Sequence, residues 1–485
     1  MSSSASSRPL DWLRFQPAIA WIGILGLALV TTLGTFAGAG SALRLLFPAG
    51  ALAVGLLLYL RYPILYVGFT LWLWFVTPFV RRLIDYHSSW QDPSPILLAP
   101  PLTTMVCALT LFRYLPNAYS RGGLPFLLCI TSVFYGFMLS LVQNSVPGSI
   151  LALLDWLAPL LFGFHLFMHW RQYPAYRQNI QRTFLWGVLV MGAYGVWQYF
   201  TAPEWDRLWL IQADSLVFGT PEPMGIRVWS TMNSPQPFAA VMMAGLILLL
   251  SNSGTLKFAA TGVGYLSFLL SLARAGWLSW LASLTIYLTS LRAYVQMRLI
   301  VTLVVMMVLV VPLVLVEPLA SEIMPRLESL TNAKGDGSYQ ARSEGYSELL
   351  DAALVEGVGK GLAFQIHSGS LGSRDSGVLT LMFSLGWLGA IPYLTGLLLM
   401  FYSLFKTTAS QFDEFAMAAR AIALGLFAQL GLNVSMLGVS GVMLWGFLGI
   451  GLGAARYHTA VDAARRRTLQ HRIAEQLAQP TSSLN

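Results

Sequence analysis

The sequence predicts an all-α, polytopic membrane protein with about fourteen transmembrane helices and a large extracytoplasmic loop containing a short amphipathic helix. Three observations lead there. Of 485 residues, 56% are hydrophobic and 10% are charged, where soluble domains carry about a quarter charged residues. Apolar runs of roughly 17 to 22 residues, each able to cross a hydrocarbon core of about 30 Å as a helix, recur through almost the whole chain. The basic residues fall mainly on one side of the alternation these runs create, as the positive-inside rule requires of short loops.

The runs lie near 17–37, 42–60, 63–80, 96–112, 124–142, 149–168, 183–200, 236–251, 256–273, 275–290, 299–316, 376–405, 416–434 and 438–456, and residues 1–485 read as a single integral membrane domain. The first run follows Arg8 and Arg14 and imitates a signal peptide, with "AGA" at 37–39 as a mock cleavage site. Its length and the span directly behind it read as a retained anchor. The fourth and fifth runs hold the two cysteines, Cys107 and Cys129, so neither a disulfide framework nor a thiolate metal site is expected. In the sixth, "ALLDWLAPLLFGF" carries Asp155 about two turns from the outer end, where a carboxylate needs a wet cavity or a cation. A structural ion pair and a substrate contact both fit it.

Residues 201–235 form an extracytoplasmic loop after the seventh run. Its "PEWDRLW" imitates an acidic metal motif through Glu204 and Asp206, but Trp205 and Trp209 make it read as an interfacial helix. With no His or carboxylate cluster at ligand spacing, no metal and no cofactor are expected. The apolar stretch 258–291 is too long for one span and suits two. Its one internal charge, Arg274, therefore turns a hairpin beside Ala273, Ala275 and Gly276.

Residues 317–375 form the large extracytoplasmic loop. Tyr346, Leu349, Leu350, Ala353 and Leu354 make an apolar stripe at helical spacing, with Glu344, Glu348 and Asp351 elsewhere. "EGVGKG" ends that helix and reads as a flexible turn, since it lacks the full spacing of a phosphate-binding loop. The basic cytoplasmic tail, 457–485, holds Arg465, Arg466 and Arg467, which read as a topology determinant facing anionic lipid heads and not as a nucleic-acid patch. With both termini in the cytoplasm, eighteen of the twenty-nine Lys and Arg lie inside and fifteen of the twenty-one acids outside.

Three outer-face arginines come from distant parts of the chain. "GIRVWSTMNSPQPFAAVMM" places Arg227 before the eighth span, the hairpin carries Arg274, and "SYQARSEGYSELL" places Arg342 at the start of the loop helix. A lone interfacial arginine snorkels to lipid phosphates. Three on one face suit a diphosphate, because a guanidinium forks onto phosphate oxygens and such contacts strengthen in a partly dry site.

The order of these motifs resembles the O-antigen polymerase and ligase superfamily of GT-C-type membrane glycosyltransferases. "RVWSTMNSP" leads into a span, "ARAG" opens a hairpin, and an arginine precedes an amphipathic helix ending in "GVGKG". "DSGVLTLMFSLGWLG" then opens a span. The resemblance covers residues 185–455 and rests on order and spacing, since each motif alone is loose. It implies an enzyme of the bacterial inner membrane with its active site outside the cytoplasm. The donor is an undecaprenyl-diphosphate-linked oligosaccharide, transferred to an acceptor glycan hydroxyl among membrane lipids, without nucleic acid and with room for a chain-length regulator.

By resemblance, Arg227, Arg274 and Arg342 hold the diphosphate and stabilise its charge as the glycosidic bond breaks. Many ligases carry a histidine, usually as "HN", at the mouth of the next span. Here His367 lies eight residues before Asp375, and "RDSG" at 374–377 occupies that mouth. His367 and Asp375 are both candidates for the catalytic base, and the departure favours a polymerase over a ligase. Asp375 also suits a helix cap. Asp155, Arg374 and Tyr339 are candidates for a supporting role, Trp229 and Tyr339 could stack on sugar, and Tyr346 serves the loop helix's apolar face. Ligation to lipid A core and lipid-linked glycan transport are the alternatives, although a transporter would place its charges along a central path.

Overall fold

The computed structural model describes residues 16–214, 216–252, 254–297, 299–301, 304, 320, 324, 337–366, 375–407, 410 and 413–478. The elements among them are helical, and one isolated antiparallel bridge joins Gly219 to Ile226. The chain opens with α1 (Gln16–Phe36), α2 (Gly40–Arg61) and α3 (Pro63–His87). Pro63 starts α3, where its missing N–H is no loss. The next crossing, Pro95–Asn117, breaks into α4 (Ala99–Met105) and α5 (Ala108–Tyr114). There follow α6 (Leu124–Gln143), α7 (Val146–Met168), α8 (Tyr173–Thr201) and the short α9 (Glu204–Gln212). A hairpin group, α10 (Pro235–Leu250), α11 (Leu256–Leu270) and α12 (Arg274–Ser290), leads to the loop helix α13 (Gly337–Val355). The chain continues through α14 (Gly377–Lys406), α15 (Glu414–Ala428) and α16 (Gly438–Ala478).

Among the described residues nine helices are long and apolar enough to cross a membrane, and α10 and α11 are shorter apolar helices. This is the build of an all-helical, multi-pass membrane protein. Apart from a few positions, the expected span 299–316 lies outside the described residues. The helices α10, α11 and α12 are short, of 16, 15 and 17 residues, and the turn 271–273 between α11 and α12 is buried.

The core lies along α16, whose apolar window is 89% buried, whereas that of α1 is 17% buried and faces outward. The helices α7 and α16 touch backbone to backbone. A Cβ on Gly163 would stand 2.4 Å from the Trp445 carbonyl oxygen, and one on Gly449 2.1 Å from that of Gly163. Small residues permit such close crossings in lipid, where packing and not hydrophobicity joins helices.

Loops alternate between two faces, a long-loop face carrying residues 202–234 and α13, and a tail face from which α16 departs. Residues 457–478 of the expected basic tail continue α16, which runs unbroken for 41 residues, about twice the length a bilayer core needs. Asp413 ties the tail face together. It accepts hydrogen bonds from the Tyr173 hydroxyl at 2.6 Å and His458 Nε2 at 3.0 Å, pairs with Arg177 at 3.3 Å, and caps α15 through the Phe415 and Ala416 amides. Burial acts to raise the Asp413 carboxyl, and these donors overcome it, so the group titrates below the usual aspartate range.

Candidate functional site

On the long-loop face two stretches of non-helical backbone enter the helical bundle. The first is 226–234, the "IRVWSTMNS" motif, whose residues 228–232 are buried. Helix-free backbone at that depth must find partners inside the protein. The Val228 amide donates to the Leu270 carbonyl at 3.0 Å, and the Trp229 and Ser230 amides donate to Gln198 Oε1 at 3.2 and 2.8 Å. Arg82 of α3 donates to the Ser230 carbonyl at 2.5 Å and also to that of Met232. Its Nε stands 3.0 Å from Asp206 Oδ1, with both side chains fully buried. The other Asp206 oxygen accepts from the Tyr194 hydroxyl and Gln198 Nε2, each at 2.8 Å. Burial pushes the Asp206 carboxyl up, against the pull of Arg82 and these hydrogen bonds.

This revises the reading of "PEWDRLW". The segment does form a short helix, but Asp206 faces inward as the counter-charge of Arg82 and not outward at an interface. Trp229 is also corrected. It is fully buried between Trp209 and Phe218, so it packs the loop and offers no face to a sugar.

The motif arginine leaves the buried stretch at its start. Arg227 Nη2 donates to the Leu272 carbonyl at 3.2 Å, in the turn between α11 and α12 that ends at Arg274. Both arginines are half-buried. Ser230 and Leu272, which flank this corner, adopt left-handed backbone at φ 52° and 51°, a conformation non-glycine residues hold only when their surroundings enforce it. Beside Arg274, the Ala275 carbonyl accepts from Gln429 Nε2 at 3.2 Å. The 3-10 turn of Gln429 ends at Gly431, whose carbonyl accepts from the Tyr346 hydroxyl of α13 at 3.0 Å. That hydroxyl also meets Ser376 Oγ at 2.5 Å. One run of contacts therefore joins the Arg227 segment, the Arg274 turn, α13 and the mouth of α14.

The second non-helical stretch is 356–364, containing "GVGKG". Here α14 is interrupted at Gly386, with φ 57° and ψ −176°. The freed backbone pairs with the glycine segment. Lys360 and Gly361 amides donate to the Phe383 and Ser384 carbonyls at 2.7 and 3.1 Å, and Trp387 and Leu388 amides donate to the Glu356 and Gly357 carbonyls at 3.1 Å each. On the other side α6 holds the segment: the Leu362 amide donates to the Gly136 carbonyl, Tyr135 to the Val358 carbonyl at 2.7 Å, and Asn144 to the Lys360 carbonyl at 3.0 Å. The flexible turn expected here is instead a locked insertion, and its glycines are sterically required. A Cβ on Gly386 would stand 2.4 Å from the Gly359 nitrogen, and one on Gly361 2.5 Å from Ser140 Cα.

Of the residues singled out in the sequence, Arg227 reaches the turn that leads into Arg274. Arg342 and Tyr339 belong to α13, with side chains outside the described residues, and His367 and Arg374 lie outside them altogether. Asp375 is half-buried at the mouth of α14. It is not the helix cap, because Ser376 Oγ accepts from the Leu379 amide at 3.1 Å. Asp155 is half-buried within α7. Tyr346 packs on the core and anchors α13 through its hydroxyl, while Leu350 and Leu354 of the expected apolar stripe are exposed. Arg82, Gln198 and Lys360 were not foreseen. The only trace of Arg82 in the sequence is the pair "RR" at 81–82, just past the expected end of the third span. Among the described residues no group of three or more His, Cys, Asp and Glu gathers to hold a metal ion.

The fold and this corner define a multi-pass helical membrane protein whose long-loop face is built from interrupted helices and inserted backbone. No family model and no curated protein matches the chain.

Proposed function

We propose that the protein is a polysaccharide polymerase that transfers undecaprenyl-diphosphate-linked glycan repeat units of an O-antigen or exopolysaccharide to an acceptor sugar hydroxyl. In this reading the chain makes about fourteen crossings of the bacterial inner membrane, both termini are cytoplasmic, and the long-loop face is extracytoplasmic. The observation that carries it is the corner where Arg227 reaches the Arg274 turn, with α13, the helix of Arg342, anchored beside it. Two enforced left-handed residues at that corner point the same way, since such strain gathers at sites that need fixed geometry.

The acceptor hydroxyl attacks the donor's anomeric carbon, and the bond from that carbon to the diphosphate oxygen breaks. Asp375 or His367 takes the hydroxyl proton. Arg227, Arg274 and Arg342 stabilise the charge that develops on the departing diphosphate, and that stabilisation supplies the catalysis. Arg274→Lys and Arg342→Lys test this, because a point charge does not reproduce a forked contact. Both variants should reach the membrane at normal level while polymer length falls sharply. Long polymer in both would remove the arginines from the reaction. A strain lacking the protein should accumulate single lipid-linked units. Long unattached chains would instead indicate a ligase, and units held on the cytoplasmic face a transporter.

A further inference from the structure

The inserted segment fixes the position of Lys360 closely through backbone hydrogen bonds to α6 and α14. Two rulers give its depth. Its neighbour Leu362 bonds the Gly136 carbonyl, seven residues before the end of α6, and its own amide bonds the Phe383 carbonyl, six residues into α14. At 1.5 Å per residue both place the segment about 10 Å inward from the long-loop ends of these helices. A cation at such depth needs a counter-charge or a wet cavity.

Among the described residues the ammonium has two aromatic partners, with Nζ 4.7 Å from the Phe364 ring centroid and 4.9 Å from that of Phe383. No carboxylate among them lies within ion-pair distance, and the Glu356 carboxylate is engaged by the Gly359 amide at 3.0 Å. Ring faces orient an ammonium without neutralising it. Close by, Val355, Val358, Trp387 and Leu388 are exposed apolar side chains continuous with the outer surface of α14. An anion with a hydrocarbon tail satisfies both features at once.

We propose that Lys360 is a further anion-binding residue and holds a phosphate of a membrane lipid whose chain lies against the exposed apolar surface beside it. That the lipid is the diphosphate donor rests on the polymerase reading; that it is a lipid phosphate does not. The test uses the full chain in phosphatidylcholine nanodiscs with three probes: undecaprenyl diphosphate, phosphatidylglycerol and inorganic pyrophosphate. Lys360→Met keeps the stem over the two rings and removes the charge, and Lys360→Arg restores it.

The expected result is that Lys360→Met binds undecaprenyl diphosphate about tenfold more weakly or worse, Lys360→Arg recovers most of the loss, and pyrophosphate binds all three proteins weakly. If Lys360→Met instead weakens phosphatidylglycerol to the same degree, and the wild type shows no preference for the diphosphate, the lipid-phosphate site stands and the donor assignment falls. If Lys360→Met binds both lipids like the wild type, the inference is overturned while the arginine tests stand apart. A photo-crosslinker at Val358 guards against misfolding. It should label the isoprenoid in the wild type, and labelling unchanged in a Lys360→Met protein that elutes like the wild type would also overturn the proposal.

Discussion

Replacing Arg82 by methionine probes how the long-loop face is held. The substitution leaves Asp206 fully buried, without its counter-charge but with hydrogen bonds from Tyr194 and Gln198. Removing one partner of a buried ion pair costs about 3–5 kcal/mol. The Ser230 and Met232 carbonyls lose their guanidinium donors at the same time, so the upper part of that range applies. Asp206→Asn keeps the shape and leaves Arg82 its two carbonyls, so the lower end of that range, about 3 kcal/mol, is expected. The double variant carries neither buried charge. It should be more stable than Arg82→Met alone, because a matched neutral pair avoids the desolvation that an orphaned carboxylate suffers. Intrinsic tryptophan fluorescence during heating in detergent reads all four proteins, with Trp229 buried beside the network as the local reporter. A double variant whose loss equals the sum of the single losses would refute the reasoning, as would Arg82→Met melting with the wild type.

Two further outcomes follow from the same packing. Gly386→Ala puts a Cβ 2.4 Å from the Gly359 nitrogen and forces a left-handed backbone on alanine, which strains it by about 1–3 kcal/mol before any displacement. Limited proteolysis should open 356–364 in this variant and not in Gly262→Ala, where a Cβ meets nothing within 4 Å. The folded-state pKa of Asp413 is depressed, so its stabilisation is complete above the ordinary aspartate value of about 4 and is lost as pH falls through the lower folded value. In melts across pH, Asp413→Asn should therefore lose stability at neutral pH and converge with the wild type in acid.

Much of the fold was legible because lipid imposes one rule on every crossing, a run of apolar residues long enough to span. Helices α1, α2, α6 and α7 follow that rule and were readable within a few residues. The places where reading failed are those where polar groups satisfy each other over long distances in sequence. Nothing around Asp206 announces Arg82, which lies 124 positions earlier, so local pattern favoured an interfacial helix. The glycines of "GVGKG" read as slack because a turn also needs glycine, and only the facing break at Gly386 shows that they are there for close approach. The arginine corner was legible in part, since the loop of Arg227 and the hairpin of Arg274 fall on one face by the alternation of spans whatever the packing.

The two inserted segments divide the polar residues of this face into two kinds. Gln198, Asp206, Arg82, Asn144 and Tyr135 face inward onto backbone or onto one another, and each accounts for groups that helix interruption would leave unsatisfied. They hold the frame. Lys360 belongs to the other kind, because its segment is held through backbone atoms while its ammonium rests on ring faces. Arg227 shares in both, touching the Leu272 carbonyl with one nitrogen of its fork. A cation that the scaffold does not use can be removed with the fold intact and function lost, whereas removal of a framing charge such as Arg82 destabilises the fold. Arg82→Met and Lys360→Met should fall on opposite sides of that line, although each deletes one positive charge from the same face.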